Sequence, residues 1–254
     1  MLSISSPRWQ LAAWCLFYLG LLGAWGALIL IGGEAGDGLL ARCLAPVGTL
    51  TPASLFPAWA LMALGMMLPT SLPTLQRYAI LVQGRDGSPL MRFWLFILGY
   101  SLVWLGFAAL ASLAQLLLAR LPLVGRLPAA GQPYLAALLL LMAGLYQFSR
   151  WKNACLIRCR HPMTFFMAHW RDGYRGAVRM GARHGMDCLG CCWALMSLSL
   201  IGGLMNVGFM LLGMILMALE KLAGPGRFVT IPLGLALVAA AFFYGGGIWF
   251  AGQP

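Results

Sequence analysis

The chain has 254 residues, 61% of them hydrophobic and 9% charged, with a formal net charge of +11. Soluble domains carry about 25% charged residues, so too few polar side chains remain to cover a water-facing surface. In a soluble protein, 17 Lys and Arg against 6 Asp and Glu would suggest nucleic acid as a partner. Here the basic residues sit mainly in connecting segments, the pattern of topology signals and lipid-headgroup contacts, so the expected surroundings are a lipid bilayer and no nucleic acid.

The apolar residues come in long blocks, each near the ~20 residues that a bilayer span needs. The first runs from Trp9 to Ile31 and is too long for a signal-peptide core. A Gly-rich polar break follows, to Gly38. The second block covers Ala53–Tyr78 and is interrupted by Pro69 and Pro73; the third covers Phe93–Ala119 and the fourth Pro133–Phe148. The fifth runs over Cys192–Leu219 and the sixth over Phe228–Phe250. These blocks predict an all-α membrane protein: one integral membrane domain over residues 1–254, a bundle of about six transmembrane helices.

The longest connection, residues 149–191, predicts a Cys/His-rich loop containing an interfacial amphipathic helix. Met163, Phe166, Met167, Trp170, Tyr174, Ala177 and Val178 recur at three- and four-residue steps, with Arg171, Asp172, Arg175 and Arg179 opposite. Such a basic amphipathic helix lies in the membrane surface. With the N-terminus inside, twelve Lys and Arg fall on the cytoplasmic side and five outside, the latter being Arg42, Arg120, Arg126, Lys221 and Arg227. The positive-inside bias therefore predicts a cytoplasmic Cys/His loop and both termini in the cytoplasm.

Five of the seven cysteines lie between Cys155 and Cys192. A disulfide scaffold spreads its cysteines along a chain, whereas clustering at short spacing fits a metal site or a redox pair. One half reads Cys155-Leu-Ile-Arg-Cys159-Arg-His161 and the other His184-Gly-Met-Asp-Cys188-Leu-Gly-Cys191-Cys192. On a helix, His184, Cys188, Cys191 and Cys192 would share one face, with Met196 next; Gly185 and Gly190 favour a looser backbone. Thiolate and imidazole suit zinc, copper and iron–sulfur clusters. Arg158, Arg160 and Arg183 near the thiols favour the thiolate. Cys15 and Cys43 fit buried packing residues, and His169 a solvated one.

Met62, Met66 and Met67 lie near the Pro69 break, with Met62 and Met66 on one helix face. Thioether sulfur suits Cu(I) and not zinc or iron, although methionine also packs cores without any ligand role. Asn206, inside the fifth block, fits a helix–helix hydrogen bond or a group behind the ligands.

The sequence resembles a family of bacterial metal-binding integral membrane proteins, of unassigned function and copper-chaperone-like. The resemblance rests on Trp59-x-x-Met62-x-x-x-Met66-Met67-x-Pro69-Thr70, on Cys155-Leu-x-x-Cys159-Arg and on Trp170-Arg-x-Gly173. It is densest from Met180-Gly-x-x-His184 through Cys188-Leu-Gly-Cys191-Cys192-Trp193-Ala-Leu-Met196, and it ends with Gly203-x-Met205-Asn206 and Glu220-Lys221. Gly65 departs from the alanine the family favours. The resemblance implies the bacterial inner membrane, copper binding and help in metallating a copper enzyme.

The expectation is thus a Cu(I) chaperone or transfer protein, not an enzyme, supplying a copper-dependent enzyme or another chaperone. Its metal ligands are drawn from His184, Cys188, Cys191, Cys192, Cys155, Cys159, Met62, Met66, Met67 and Met196. One alternative is a membrane thiol–disulfide oxidoreductase using Cys188 and Cys191, with Cys155 and Cys159 as a second pair. Another is a zinc-stapled structural protein holding zinc by Cys155, Cys159, Cys188 and Cys191. No Gly-rich nucleotide loop, acidic metal dyad or hydrolase nucleophile motif is present, so ATP use is not expected.

Overall fold

A computed structural model describes residues 8–33, 52–85, 87–120, 132–199, 207–222, 224 and 226–251. Among them the protein is entirely helical. The elements are α1 (Arg8–Gly33), α2 (Pro52–Thr70), α3 (Leu72–Leu81), α4 (Pro89–Arg120) and α5 (Gln132–Gln147), then α6 (Arg150–Arg160), α7 (Pro162–His169), α8 (Gly173–Ser197), α9 (Val207–Lys221) and α10 (Gly226–Ala251). Three stretches, Arg8–Leu30, Pro89–Leu117 and Phe228–Gly245, are long and apolar enough to cross a membrane. The bent pair α2–α3 is apolar and long enough to count as a fourth if its two helices form one broken span. Cys43, Met205 and Asn206 lie outside the described residues.

The bend between α2 and α3 is 62°, and proline chemistry explains it. Pro69 has no N–H, so the Gly65 carbonyl one turn earlier loses its helical partner. The Trp25 indole of α1 donates to that carbonyl at 3.1 Å. The Met67 carbonyl accepts from Thr70 Oγ1 at 2.9 Å and from the Tyr100 hydroxyl of α4 at 2.9 Å. Ser71 Oγ donates to the Leu68 carbonyl at 2.8 Å. Side chains thus satisfy the backbone that the break frees, as a broken helix in an apolar medium requires. A Cβ on Gly65 would meet only ordinary contacts, 3.5 Å from Leu28 and 3.7 Å from Trp25, so the departure from alanine leaves the packing intact.

Contacts fix the direction of each helix. Gln10 against Ala79 and Trp25 against Gly65 run α1 opposite to α2–α3. Trp59 against Gln115 and Tyr100 against Met67 turn α4 back again. α8 runs parallel to α4, with Gly181 on Phe96 and Gly185 on Val103. The backbones of α4 and α8 touch there: a Cβ on Gly181 would collide with the Phe96 carbonyl, and one on Gly99 with the Val178 carbonyl. α5 opposes α8 through Tyr146 on Gly190 and Ala143 near Ala194. α9 follows α2, with Gly213 beside Met66 and Lys221 beside Thr70. α10 opposes α5, through Gly234 beside Gln147 and Gly245 beside Ala137.

Two expectations are corrected by this path. In the apolar block at 192–219 the described residues belong to the end of α8 and to α9, two helices that run in opposite directions. With that extra reversal, the start of α1 and the end of α10 lie at opposite ends of the bundle. The turn from α9 to α10 therefore lies on the α6 side: Arg160 Nε donates to the Glu220 carbonyl at 2.8 Å, and Arg160 Nη2 reaches Thr230 Oγ1 at 3.5 Å. Lys221 thus leaves the outer group of basic residues to which loop counting assigns it.

Residues 149–191, expected to be a Cys/His-rich connection with one amphipathic helix, hold α6, α7 and most of α8. The amphipathic stretch is split at Trp170–Asp172: Phe166 and Ala177 are buried, while Met167 is 81% exposed. Asp172 closes the split by accepting from Trp170 Nε1 and Arg85 Nη1, both at 3.0 Å; these donors hold its carboxyl below the usual range. Cys15, expected inside, is exposed on α1. His169 is half-buried, its Nδ1 3.1 Å from the Phe165 carbonyl.

Candidate metal centre

α8 is helical through Gly185 and Gly190, so the spacing of its cysteines becomes a geometry. Cys188, Cys191 and Cys192 occupy its buried face, each 1% exposed. Their three Sγ atoms lie within 4.8 Å of one another. Cys191 Sγ stands 3.3 Å from Cys192 Sγ and donates to the Cys188 carbonyl at 3.1 Å. All three thiols are free.

Other elements close around this trio. From α6, Cys159 is buried and belongs to the same core cluster as Cys188, Cys191 and Cys192. Cys155, one turn earlier and half-buried, lies against Gly190; a Cβ there would sit 2.6 Å from its sulfur, so the glycine makes room for the fifth thiol. From α2, Met62, Met66 and Met67 are at most 3% exposed, and they share one buried cluster with Met196, Cys159 and the trio. Eight of the ten residues that the sequence singles out thus lie in one buried apolar cluster, with Cys155 packed against it.

His184 is the tenth. It lies on the same face of α8 and, like Cys155 and Cys159, outside the trio's 4.8 Å set. Its ring stacks near Phe96 and Tyr100, with centroids 6.1 and 5.7 Å away, and meets Phe165 edge-on at 5.4 Å. Its Nδ1 is buried with no hydrogen-bond partner among the described residues.

Two polar groups complete the site that motif spacing does not reveal. Lys221 Nζ, from the end of α9, reaches Cys188 Sγ at 3.1 Å and Thr70 Oγ1 at 2.6 Å, with the side chain only 7% exposed. The Tyr100 hydroxyl lies 3.1 Å from Cys188 Sγ. Behind Lys221, Glu220 pairs with Lys152 of α6 at 2.8 Å, both 1% exposed. Arg158 pairs with Asp187 at 2.8 Å. The Glu220-Lys221 pair is visible in the sequence, but nothing local tells that its lysine points at a thiol 33 positions away.

The donor set fits a soft metal. Thiolates and thioethers are the ligands that select Cu(I), and no carboxylate belongs to the trio. A buried ammonium beside three potential thiolates offsets negative charge that a monovalent ion alone would leave. Fold and site together define an all-helical protein with a buried pocket of soft ligands able to hold a metal. The family model described as the PpoB2 copper chaperone matches residues 56–244, and the chain belongs to that family. No curated protein and no solved structure matches it.

Proposed function

We propose that this protein is a membrane-embedded Cu(I) chaperone that holds a cuprous ion among Cys188, Cys191 and Cys192 and passes it to a copper-dependent enzyme. The observation that carries this reading is the buried thiol trio, within 4.8 Å, sharing a core with four methionines and faced by Lys221. Thiolates hold the ion firmly; neutral thioethers bind Cu(I) more weakly and release it. Met62, Met66 and Met67 therefore form the outgoing station, and Met196 the bridge. Cys155 and Cys159 extend the thiol set toward α6.

The bilayer placement draws on the outward faces of the helices. Leu19, Leu22, Leu110 and Phe243 are all more than 60% exposed, a surface suited to lipid. The basic residues of residues 150–183 and of the α9–α10 turn gather on one side of the bundle, which the positive-inside bias assigns to the cytoplasm. The end of α10 is then on the opposite side of a bacterial inner membrane.

Metal content of the protein purified under anaerobic, reducing conditions tests the reading. One copper per chain, lost in the Cys188→Ser/Cys191→Ser variant, is the expected result. Wild-type copper in that variant refutes the assignment. Zinc in place of copper favours a structural staple, and no metal with reversible thiol oxidation favours an oxidoreductase.

A further inference from the structure

A cavity of about 720 Å³ lies beside the thiol cluster, with Cys159 and Lys221 in its lining. It opens between the start of α1, the outer face of α3, and the junction of α6 and α7. Its walls include Trp14, Arg77, Arg160, His161, Cys159 and Lys221, whose ammonium lies 3.1 Å from Cys188 Sγ. Cys159 in turn shares one buried core cluster with Cys188, Cys191 and Cys192. The cavity therefore has on its wall a thiol that belongs to the same buried core as the site.

Two properties define its occupant. The first is size: a bare ion needs only its ligands, whereas cavities of about 300–1,000 Å³ hold small organic molecules. The second is charge: Arg77, Arg160 and Lys221 line it, and no carboxylate is among its described lining residues. A cleft lined by one sign of charge concentrates the opposite sign and repels its own. A free cuprous cation is thus the wrong visitor.

We propose, building on the metal-site reading above, that this cavity receives copper as an anionic Cu(I)–thiolate complex of a small peptide thiol, and that Cys159 takes the ion first. The exchange is associative. A bond forms between Cys159 Sγ and copper as one carrier sulfur–copper bond breaks, and the proton of the Cys159 thiol leaves on the released carrier thiol. A second exchange forms copper bonds to Cys188 and Cys191 as the Cys159 and remaining carrier bonds break; of the two thiol protons displaced, one returns to Cys159 and the other leaves on the carrier. Copper stays Cu(I) throughout, so no oxidant or reductant is consumed.

The test uses the full chain, reduced and metal-free in detergent, loaded anaerobically from two carriers of opposite charge. The bis(glutathione) Cu(I) complex is anionic; the cysteamine Cu(I) complex is cationic. The readout is the ratio of the two initial loading rates within one preparation, which cancels any loss of folded protein. Wild type should favour the anionic carrier. Arg77→Glu should lower that ratio roughly tenfold or more, the scale of electrostatic steering in a charged cleft. Cys159→Ser should slow loading from both carriers. A ratio unchanged by Arg77→Glu, or wild-type rates in Cys159→Ser, overturns the route. So does a wild-type protein that fills from a neutral chelator but from neither thiol complex, an outcome that leaves the metal site standing. A wild-type protein that holds no copper from any source overturns the site itself, and the route with it.

Discussion

Replacing Lys221 by Met removes a charge from the thiol site while keeping most of the side chain's volume. Lys221 Nζ lies 3.1 Å from Cys188 Sγ, where two unit charges attract by about 5 kcal/mol at an effective dielectric near 20. Burial of the ammonium cancels several kcal/mol of this gross figure. The net worth of a hydrogen bond to a charged group is about 1.5–3 kcal/mol. Cu(I) held by thiolates leaves the site with excess negative charge, so the loss falls on the metal-bound state. Lys221→Met should therefore weaken Cu(I) binding roughly 10- to 150-fold. The assay is anaerobic competition against a chromophoric Cu(I) chelator, with thermal unfolding of the metal-free variant as the control for folding. Wild-type affinity in a folded Lys221→Met protein would refute the role given to this ammonium.

Replacing Met62, Met66 and Met67 together with Leu keeps volume and apolarity but removes three sulfurs; thiol-bound copper should persist while delivery to a dependent enzyme falls sharply, and full delivery would reduce these methionines to packing. Lys152→Met alone strands the buried Glu220 carboxylate, whose partner is 2.8 Å away, and should cost about 3–5 kcal/mol; adding Glu220→Met should recover most of it, as thermal or denaturant unfolding in detergent will show. Topology reporters placed just before α1 and just after α10 should report opposite sides of the membrane, and reporters on one side would contradict the helix directions described above.

Much of the site was legible because its spacing is local. Cys188, Cys191 and Cys192 share a face on any helix, as do Met62 and Met66. The Pro69 break was legible too, since proline's missing N–H acts within four residues. What escaped was long-range or hidden by composition. Lys221 reads as a loop charge because nothing beside it reveals Cys188 or Thr70, and Tyr100 reads as one aromatic among many in α4. Hydropathy alone joins the end of α8 to α9, since both are apolar, and misses the reversal between them. It also misses the first half of α8 as a packed helix. Arg175, Arg179 and Arg183 make that half look superficial, yet Gly181 and Gly185 press its other face onto α4.

X-ray absorption at the copper edge of the loaded full-length protein tests the central claim most directly, because it reads the atoms bound to the ion. The account predicts a Cu(I) edge and a first shell made of sulfur alone, with the Cys188→Ser variant losing a sulfur scatterer. A first shell dominated by nitrogen or oxygen, or a spectrum unchanged by Cys188→Ser, would contradict it.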